Sequence, residues 1–550
     1  MNENHHRIIT LIAGGVIGVM VFVAIYGVSY VNPMNDSWLI NIGSDLSAEY
    51  IGWQFYRISS WRFPLSLIEN VIYPDAVSLM YVGVPPVLAA VFKLFSPILP
   101  ETFQPFGITC LFAYILQSAL AALLIYNKSK KIISSIIGSL FFILSTTMIG
   151  RVYAQNTLAF HAVILFALMV FEEREQLYKG KVRKHVLLWC FAMFIAVNLH
   201  MYYVPMIFCF MFFFYLLYAI AEHKVRKFAW IGIPMVSTVL TMWVFGIFYG
   251  SHSYGAVGFG DMNFRLNGFF ITGNTSFIQH MLGVKSSFRS DYEGFSYIGA
   301  GVILLLLIVI MHLIKKRNFS IIKKRTVCAL FGVSTVFVLV AMNPNVKINE
   351  DVIAGINWSE SIYNIFSIFR ANGRFIWPVI YILNYCLVIY VSEYMSYKRA
   401  IIVLTVCLGV QIFDMCEYIL NKRAYVDYLA EAPDTLQDEY WDILAGQNYN
   451  EVYFFVEDGE SIQQSYSIKT IIALCEYAYK NNMKLNDFYC ARKNAERIDQ
   501  DREVELTEIK NGNADSAKLY VFPDLEESVA DLENFELMQV DNIYVGIKNR

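Results

Sequence analysis

The 550-residue sequence is 57% hydrophobic and 16% charged, with a formal net charge of −3 and a mean hydropathy of +0.46. A soluble globular chain is nearer half apolar and a quarter charged, so an ordinary soluble enzyme is excluded and a lipid-embedded body is indicated. The small net charge hides an asymmetry: residues 421–550 carry 26 Asp/Glu against 13 Lys/Arg, and the preceding 420 residues carry 20 and 30.

In chain order, apolar runs occupy about 8–30, 106–126, 132–150, 157–171, 186–199, 204–221, 228–249, 297–314, 326–343, 375–394 and 400–420. Their lengths approach what is needed to cross a hydrocarbon core of about 30 Å. Backbone groups in lipid must bond within their own segment, so the runs are predicted to be helices. The short alternating strands of a transmembrane barrel are missing. The first run is longer than a signal-peptide core and has no small-x-small site after it, which makes it an uncleaved anchor. Leu79–Leu99 is also apolar but contains Pro85, Pro86, Lys93 and Pro97. It is predicted as a re-entrant, partly inserted helix, with a full extra span as the alternative.

Five basic connections fall on every second loop: KSKK (128–131), EEREQLYKGKVRKH (172–185), EHKVRK (222–227), KKRNFSIIKKR (315–325) and SYKR (396–399). By the positive-inside rule the N-terminus is cytoplasmic, eleven crossings follow, and the tail from about 421 lies outside. The predicted fold is an all-α polytopic membrane domain, 1–420, with long outer loops 31–105, 250–296 and 344–374, followed by a small extracytoplasmic α/β domain, 421–550. In that tail EVYFFVE (451–457) and KLYVF (518–522) read as strands, and IKTIIALCEYAYKNN (468–482) as a helix with an apolar stripe. The final FELMQVDNIYVGIK reads as a closing pair of strands. The acidity of this module excludes a basic nucleic-acid surface.

Nine cysteines are present, seven of them in or beside apolar runs, where they act as small hydrophobes. No C-x-x-C pair or Cys/His cluster points to zinc. Cys475 and Cys490 are candidates for one disulfide, although nothing in the sequence fixes their distance.

Loops as long as the three outer ones usually have a function. In the first, NIGSDLSAEYIGWQFYRISSWRFPLSLIENVIYP (41–74), Asp45 and Glu49 stand one helical turn apart and share a face. A carboxylate at a lipid–water boundary can take a proton from an incoming hydroxyl. The surrounding Trp53, Phe55, Tyr56, Trp61 and Phe63 fit an amphipathic helix at the headgroup level. Solvated acids within an interfacial aromatic belt are the simpler reading of the same residues.

In MIGRVYAQNTLAFH (148–161), Arg151 occupies a very short outer turn, Gln155 follows four residues on, and His161 enters the next span. The planar fork of an arginine suits a phosphate. A histidine in an apolar run is costly unless it faces the bundle interior. NLHMYY (198–203) offers His200 beside Tyr202 and Tyr203, for a sugar or phosphate site or for interfacial anchoring. IFRANGRFIWP (368–378) places Arg370 and Arg374 four residues apart at the start of a span. Twin arginines there suit a diphosphate or lipid phosphate, and snorkelling to headgroups is the alternative. Asp414 and Glu417 lie near the outer end of the last span, open to snorkelling or to pairing with one of these bases.

The words SDLSAEYIGWQFYR, WRFPL, YPDAVSL, PPVLAAVFKL, LQSALAALL, GRVYAQNTLAFH, YEGFSYIGAG and FRANGRFIWP, in this order over roughly residues 40–380, resemble the GT-C-type membrane glycosyltransferases. More narrowly they resemble the bacterial DUF6311 proteins. The resemblance implies an enzyme of the bacterial cytoplasmic membrane that serves the cell envelope. Its donor would be a sugar on a polyprenyl phosphate or diphosphate, and its acceptor a glycan, lipid or protein on the outer face. It also implies roles: Asp45 as general base, with Arg151, His161, Arg370 and Arg374 as phosphate binders. Glu49, Gln155 and His200 are substrate-side candidates from their own positions.

Two departures stand out. Val82 and Gly83 occupy the place where relatives often carry an Asp before the proline, and Ala48-Glu49 the place where a His is common after the first acid. No DxD motif appears in the first loop, so no cofactor is certain, and a divalent cation is possible but unsupported. Two other readings remain open. A transporter or flippase of lipid-linked saccharides would show repeated halves and broken mid-membrane helices, neither of which is clear. A non-catalytic scaffold for envelope assembly would use the acidic tail as a docking module.

Overall fold

The computed structural model describes residues 3–250, 258–283, 293–317, 325–530 and 532–549. The outer loop expected over 250–296 and the basic connection 315–325 lie partly outside the described residues. The chain forms two compact units. One comprises Met1–Asn32, Gly107–Thr241 and Tyr254–Tyr425, and the other Pro33–Phe106, Met242–Ser253 and Val426–Arg550.

Among the described residues, nine helical stretches are long and apolar enough to cross a bilayer, from Glu3–Tyr26 to Tyr397–Ala430. Nine of the eleven expected runs therefore coincide with full-length candidate spans. The other two runs fold as shorter helices, Ile132–Ile143 of 12 residues and Ala300–Lys316 of 17. At a rise of about 1.5 Å per residue the first reaches only about 18 Å. The proline-rich segment 79–99 forms no helix of spanning length. It holds a nine-residue helix, Pro86–Leu94, started by Pro85-Pro86 and followed by a tight turn, Ser96–Ile98, that contains Pro97. Such a helix rises only about 14 Å, less than half of a hydrocarbon core.

In the first unit the helices meet through small residues and buried rings. A Cβ at Gly18 would lie 2.6 Å from the carbonyl oxygen of Tyr114, so only glycine lets helices 3–26 and 106–129 approach this closely. Tyr26 and Tyr114 share a hydroxyl–hydroxyl hydrogen bond of 2.8 Å there, and Tyr30 donates to the Val152 carbonyl at 2.9 Å. The long helix 397–430 also caps a neighbour. Fully buried Asp414 accepts from the Ala300 amide at 3.0 Å and from the Tyr297 hydroxyl at 2.7 Å, and also from Ser276. Gln411 accepts from the Gly301 amide at 3.0 Å. Amide groups that have no partner within their own helix are thus satisfied. Asp414 is a structural cap, and Glu417 pairs with His280 at 2.8 Å.

The second unit combines the first loop with the C-terminal residues. Helix Asp45–Ile58 starts at Ser44, whose extended backbone and side chain form a capping box with Ser47. Eleven of its fourteen residues are buried. This corrects the expected interfacial helix: Trp53, Phe55 and Tyr56 are core residues, and only Trp61 and Phe63, beyond the helix, stay about half exposed. A hairpin of Leu67–Ile72 and Asp75–Ser78 follows.

The C-terminal sheet has five strands in the order Lys484–Leu485, Glu451–Phe454, Lys518–Phe522, Ile543–Lys548, Phe535–Val540. The first three are parallel and the last two form an antiparallel hairpin. Helices Ile468–Lys480 and Ala495–Lys510 connect the parallel strands. The crevice between the two central strands is where open α/β sheets bind ligands. Here Tyr466 bridges it, donating to the carbonyls of Phe455 at 2.7 Å and Val521 at 3.0 Å. Phe455 and Phe522 stack 4.7 Å apart in the core beneath helix 495–510. Cys475 and Cys490 are both free thiols, so the candidate disulfide is not formed.

Buried Glu451 opens the sheet. Burial, partly offset by Lys518, pushes its carboxyl up from 4.5 to about 7. A raised folded-state value stabilises the fold fully below the ordinary value, and that contribution disappears as pH climbs through the folded one. Amide exchange in strands 451–454 and 518–522 is therefore expected to be slower at pH 5 than at pH 8 after correction for intrinsic rates, and Glu451→Gln to flatten the difference. A parent profile as flat as the variant's would refute the assignment.

Candidate functional site

In the first unit Glu293 joins two arginines that are 223 positions apart in sequence. Arg374 grips it with both arms of its fork, Nε to Oε2 and Nη2 to Oε1, each at 2.7 Å. Arg151 adds an Nη1–Oε1 contact of 2.8 Å. Arg151 and Arg374 are only 7% and 5% exposed. Burial raises the cost of the Glu293 charge, but Arg374 and Arg151 outweigh it and hold the carboxyl well below its usual range. Among the described residues, these two cations share one carboxylate. Among the described residues, the buried Nε of Arg151 has no hydrogen-bond partner.

Arg374 also donates to Gln155 Oε1 at 3.3 Å and covers the Tyr202 ring at 4.6 Å. His200, at the end of helix Val182–Leu199, accepts from the Tyr202 amide at 3.3 Å. Burial and the nearby Arg374 push its imidazole well below the ordinary range, so it is neutral at pH 7. His161 is fully buried, stacked 4.5 Å from Trp377, with Nδ1 2.6 Å from the Tyr381 hydroxyl. The Arg151 guanidinium lies 5.8 Å from that same Trp377 ring.

An apolar cavity of about 540 Å³ opens beside this cluster, lined by Phe208, Phe212, Phe337, Phe369 and Phe375 among others. Tyr202 connects the two: its ring packs on Phe369 at 5.2 Å and Phe375 at 5.9 Å while Arg374 lies over it. Tyr202 and Arg374 thus stand behind the lining residues Phe369 and Phe375.

In the second unit Asp45 occupies the first position of helix 45–58, where the helix dipole favours a negative charge. The Tyr489 hydroxyl of the C-terminal residues donates to its Oδ1. Glu49, one turn on, is 1% exposed. A Cβ at Gly83 would sit 2.8 Å from Glu49 Oε1, and Gly83 has φ +93°. Both facts explain why this position holds no aspartate: neither its space nor its backbone suits one.

A family model described as Domain of unknown function (DUF6311) matches residues 15–416, and one described as the DUF6311 C-terminal domain matches residues 440–548. The chain belongs to the DUF6311 family. A search of curated proteins returns no match.

This DUF6311 protein brings Arg151, Gln155, Arg374 and His200 together, with His161 linked to them through Trp377. It does not build the expected twin-arginine site, because Arg370 is exposed while Arg374 is buried. Glu293 was missed by sequence reasoning. The only signal was its position in the word YEGFSYIGAG, which carries one acid among rings and glycines. The rest of that word begins outside the described residues, at 292. Among the described residues, no group of three His, Cys, Asp or Glu is placed to hold a metal.

Removing Glu293 leaves two buried guanidinium groups facing each other. Glu293→Gln is expected to cost about 3–5 kcal/mol, the range for one partner of a buried pair, read as a lower thermal midpoint in detergent. An unchanged midpoint would show that the arginines find other partners.

Proposed function

We propose that this DUF6311 protein is a membrane glycosyltransferase of GT-C type that uses a sugar on a polyprenyl-phosphate carrier. The observation that carries the reading is a buried arginine cluster joined through Tyr202 to Phe369 and Phe375 of a phenylalanine-lined cavity. That pairing matches the chemistry of an isoprenoid chain with an anionic headgroup. The spare Arg151 donor and the net positive charge face the phosphate, and the cavity takes the first isoprene units.

In this reading the protein sits in the bacterial cytoplasmic membrane with its N-terminus in the cytoplasm and its C-terminal domain outside. The acceptor is a glycan, lipid or protein. Asp45 takes the proton of the acceptor hydroxyl as its oxygen attacks the anomeric carbon. The bond from that carbon to the carrier phosphate breaks, and the phosphate leaves with both electrons. Arg151 and Arg374 stabilise the charge that develops on it. Tyr489 orients the Asp45 carboxylate. No step calls for a metal.

Positioned general bases contribute roughly 10²–10⁴-fold. Asp45→Asn is expected to lower sugar transfer from radiolabelled polyprenyl-phosphate donor by at least about 100-fold, with the thermal midpoint unchanged. Undiminished transfer by a stably folded variant would remove Asp45 as base.

A further inference from the structure

The second unit holds a polar cavity of about 240 Å³ that the roles above leave unused. Asp75, Tyr81 and Tyr249 line it together with three consecutive residues, Arg492, Lys493 and Asn494. The Arg492 loop is fixed from two directions: the Ala491 amide donates to the Tyr81 carbonyl at 2.8 Å, and the Arg492 guanidinium lies 5.8 Å from the Tyr81 ring.

Most charges around the cavity are already matched. Lys493 pairs with buried Asp487, which also binds Arg502 at 2.5 Å. Arg497 pairs with Asp75 at 2.8 Å and with Asp501. Arg492 differs: among the described residues no carboxylate pairs with it. Tyr249 is 39% exposed, so its ring face is open to a ligand. The Asn494 carbonyl oxygen caps helix 495–510, which leaves its NH₂ as a donor. One open cation, one open ring, an amide donor and a carboxylate acceptor therefore converge on a cavity the size of a single sugar ring.

We infer that this cavity binds an anionic saccharide unit, its carboxylate or phosphate on Arg492 and its ring against Tyr249. Hydroxyl groups donate to Asp75 and accept from Asn494. The guanidinium fork suits either anion, and an aromatic face suits the C–H side of a pyranose. The site deepens the proposed function by naming the acceptor as an acidic glycan, and its role as an acceptor site rests on that reading. Tyr489, which holds Asp45, lies three residues before Arg492 on the same loop.

The test is calorimetric titration of the full-length protein in nanodiscs with three probes: trigalacturonate, mannose 6-phosphate and neutral maltotriose. At least one anionic probe is expected to bind saturably and at least tenfold more tightly than maltotriose. Arg492→Gln and Tyr249→Ala are each expected to weaken it at least tenfold, and Arg492→Lys less. The stronger anionic probe decides between carboxylate and phosphate. Binding of neither anionic probe, equal binding of maltotriose, or parent-like binding by a folded Arg492→Gln protein would overturn the assignment. A parent protein that binds the anionic probe yet transfers no sugar would overturn the transferase reading alone. One that transfers sugar to an acceptor but binds neither anionic probe would overturn the pocket alone.

Discussion

One carboxylate holds the polar centre of the helical unit together. Among the described residues Glu293 is the carboxylate that pairs with both buried arginines, and in a low-dielectric interior a guanidinium is costly without such a partner. Its position determines where Arg151 and Arg374 point. That in turn fixes Gln155 and Tyr202, and through Tyr202 the phenylalanine wall of the apolar cavity. Among the described residues the two guanidinium groups share that single carboxylate, and the proposed anion binding rests on this imbalance. The same geometry limits what it can do: both arms of Arg374 are already spent on Glu293, so a ligand phosphate meets chiefly the remaining donors of Arg151.

The second unit depends on a different device. A loop of the first quarter of the chain and the C-terminal 125 residues form one compact body. Helix 45–58 is buried almost all round, and Tyr489 reaches the acid at its first turn. The C-terminal sheet has a three-stranded parallel core like that of open α/β folds, yet Tyr466 closes the usual crevice. The proposed saccharide site lies instead along the loop 486–494, where Asp487 anchors Lys493 and Arg502.

Much of the fold was legible because crossing a hydrocarbon core demands length and hydropathy that the sequence cannot hide. The long runs fold as helices, and the prolines of 79–99 go with a helix of only nine residues, Pro86–Leu94. Strands 451–454 and 518–522 and the closing hairpin carried clear alternation and aromatic content. Two runs that looked long enough, 132–150 and 297–314, are interrupted: the first helix ends at Ile143, and the second begins only after Gly299 adopts φ +88°. The aromatic richness of 45–58 suggested an interface because apolar content alone does not separate a ring that faces lipid from one packed against protein. The two-residue strand 484–485 is too short to leave a pattern. The candidate site was legible as residue types and illegible as pairings. Arg151 and Glu293 are 142 positions apart, and no local spacing encodes their contact or separates buried Arg374 from exposed Arg370.

The central claim is that the arginine cluster and its cavity select a lipid-linked phosphate. The direct measurement is native mass spectrometry of the full-length protein offered equal amounts of polyprenyl phosphate and the matching polyprenol. The account expects at least tenfold preference for the phosphate in the parent protein and loss of that preference in a folded Arg151→Gln variant. Equal retention of the phosphate and the alcohol by the parent protein, or a preference untouched by the substitution, would contradict it.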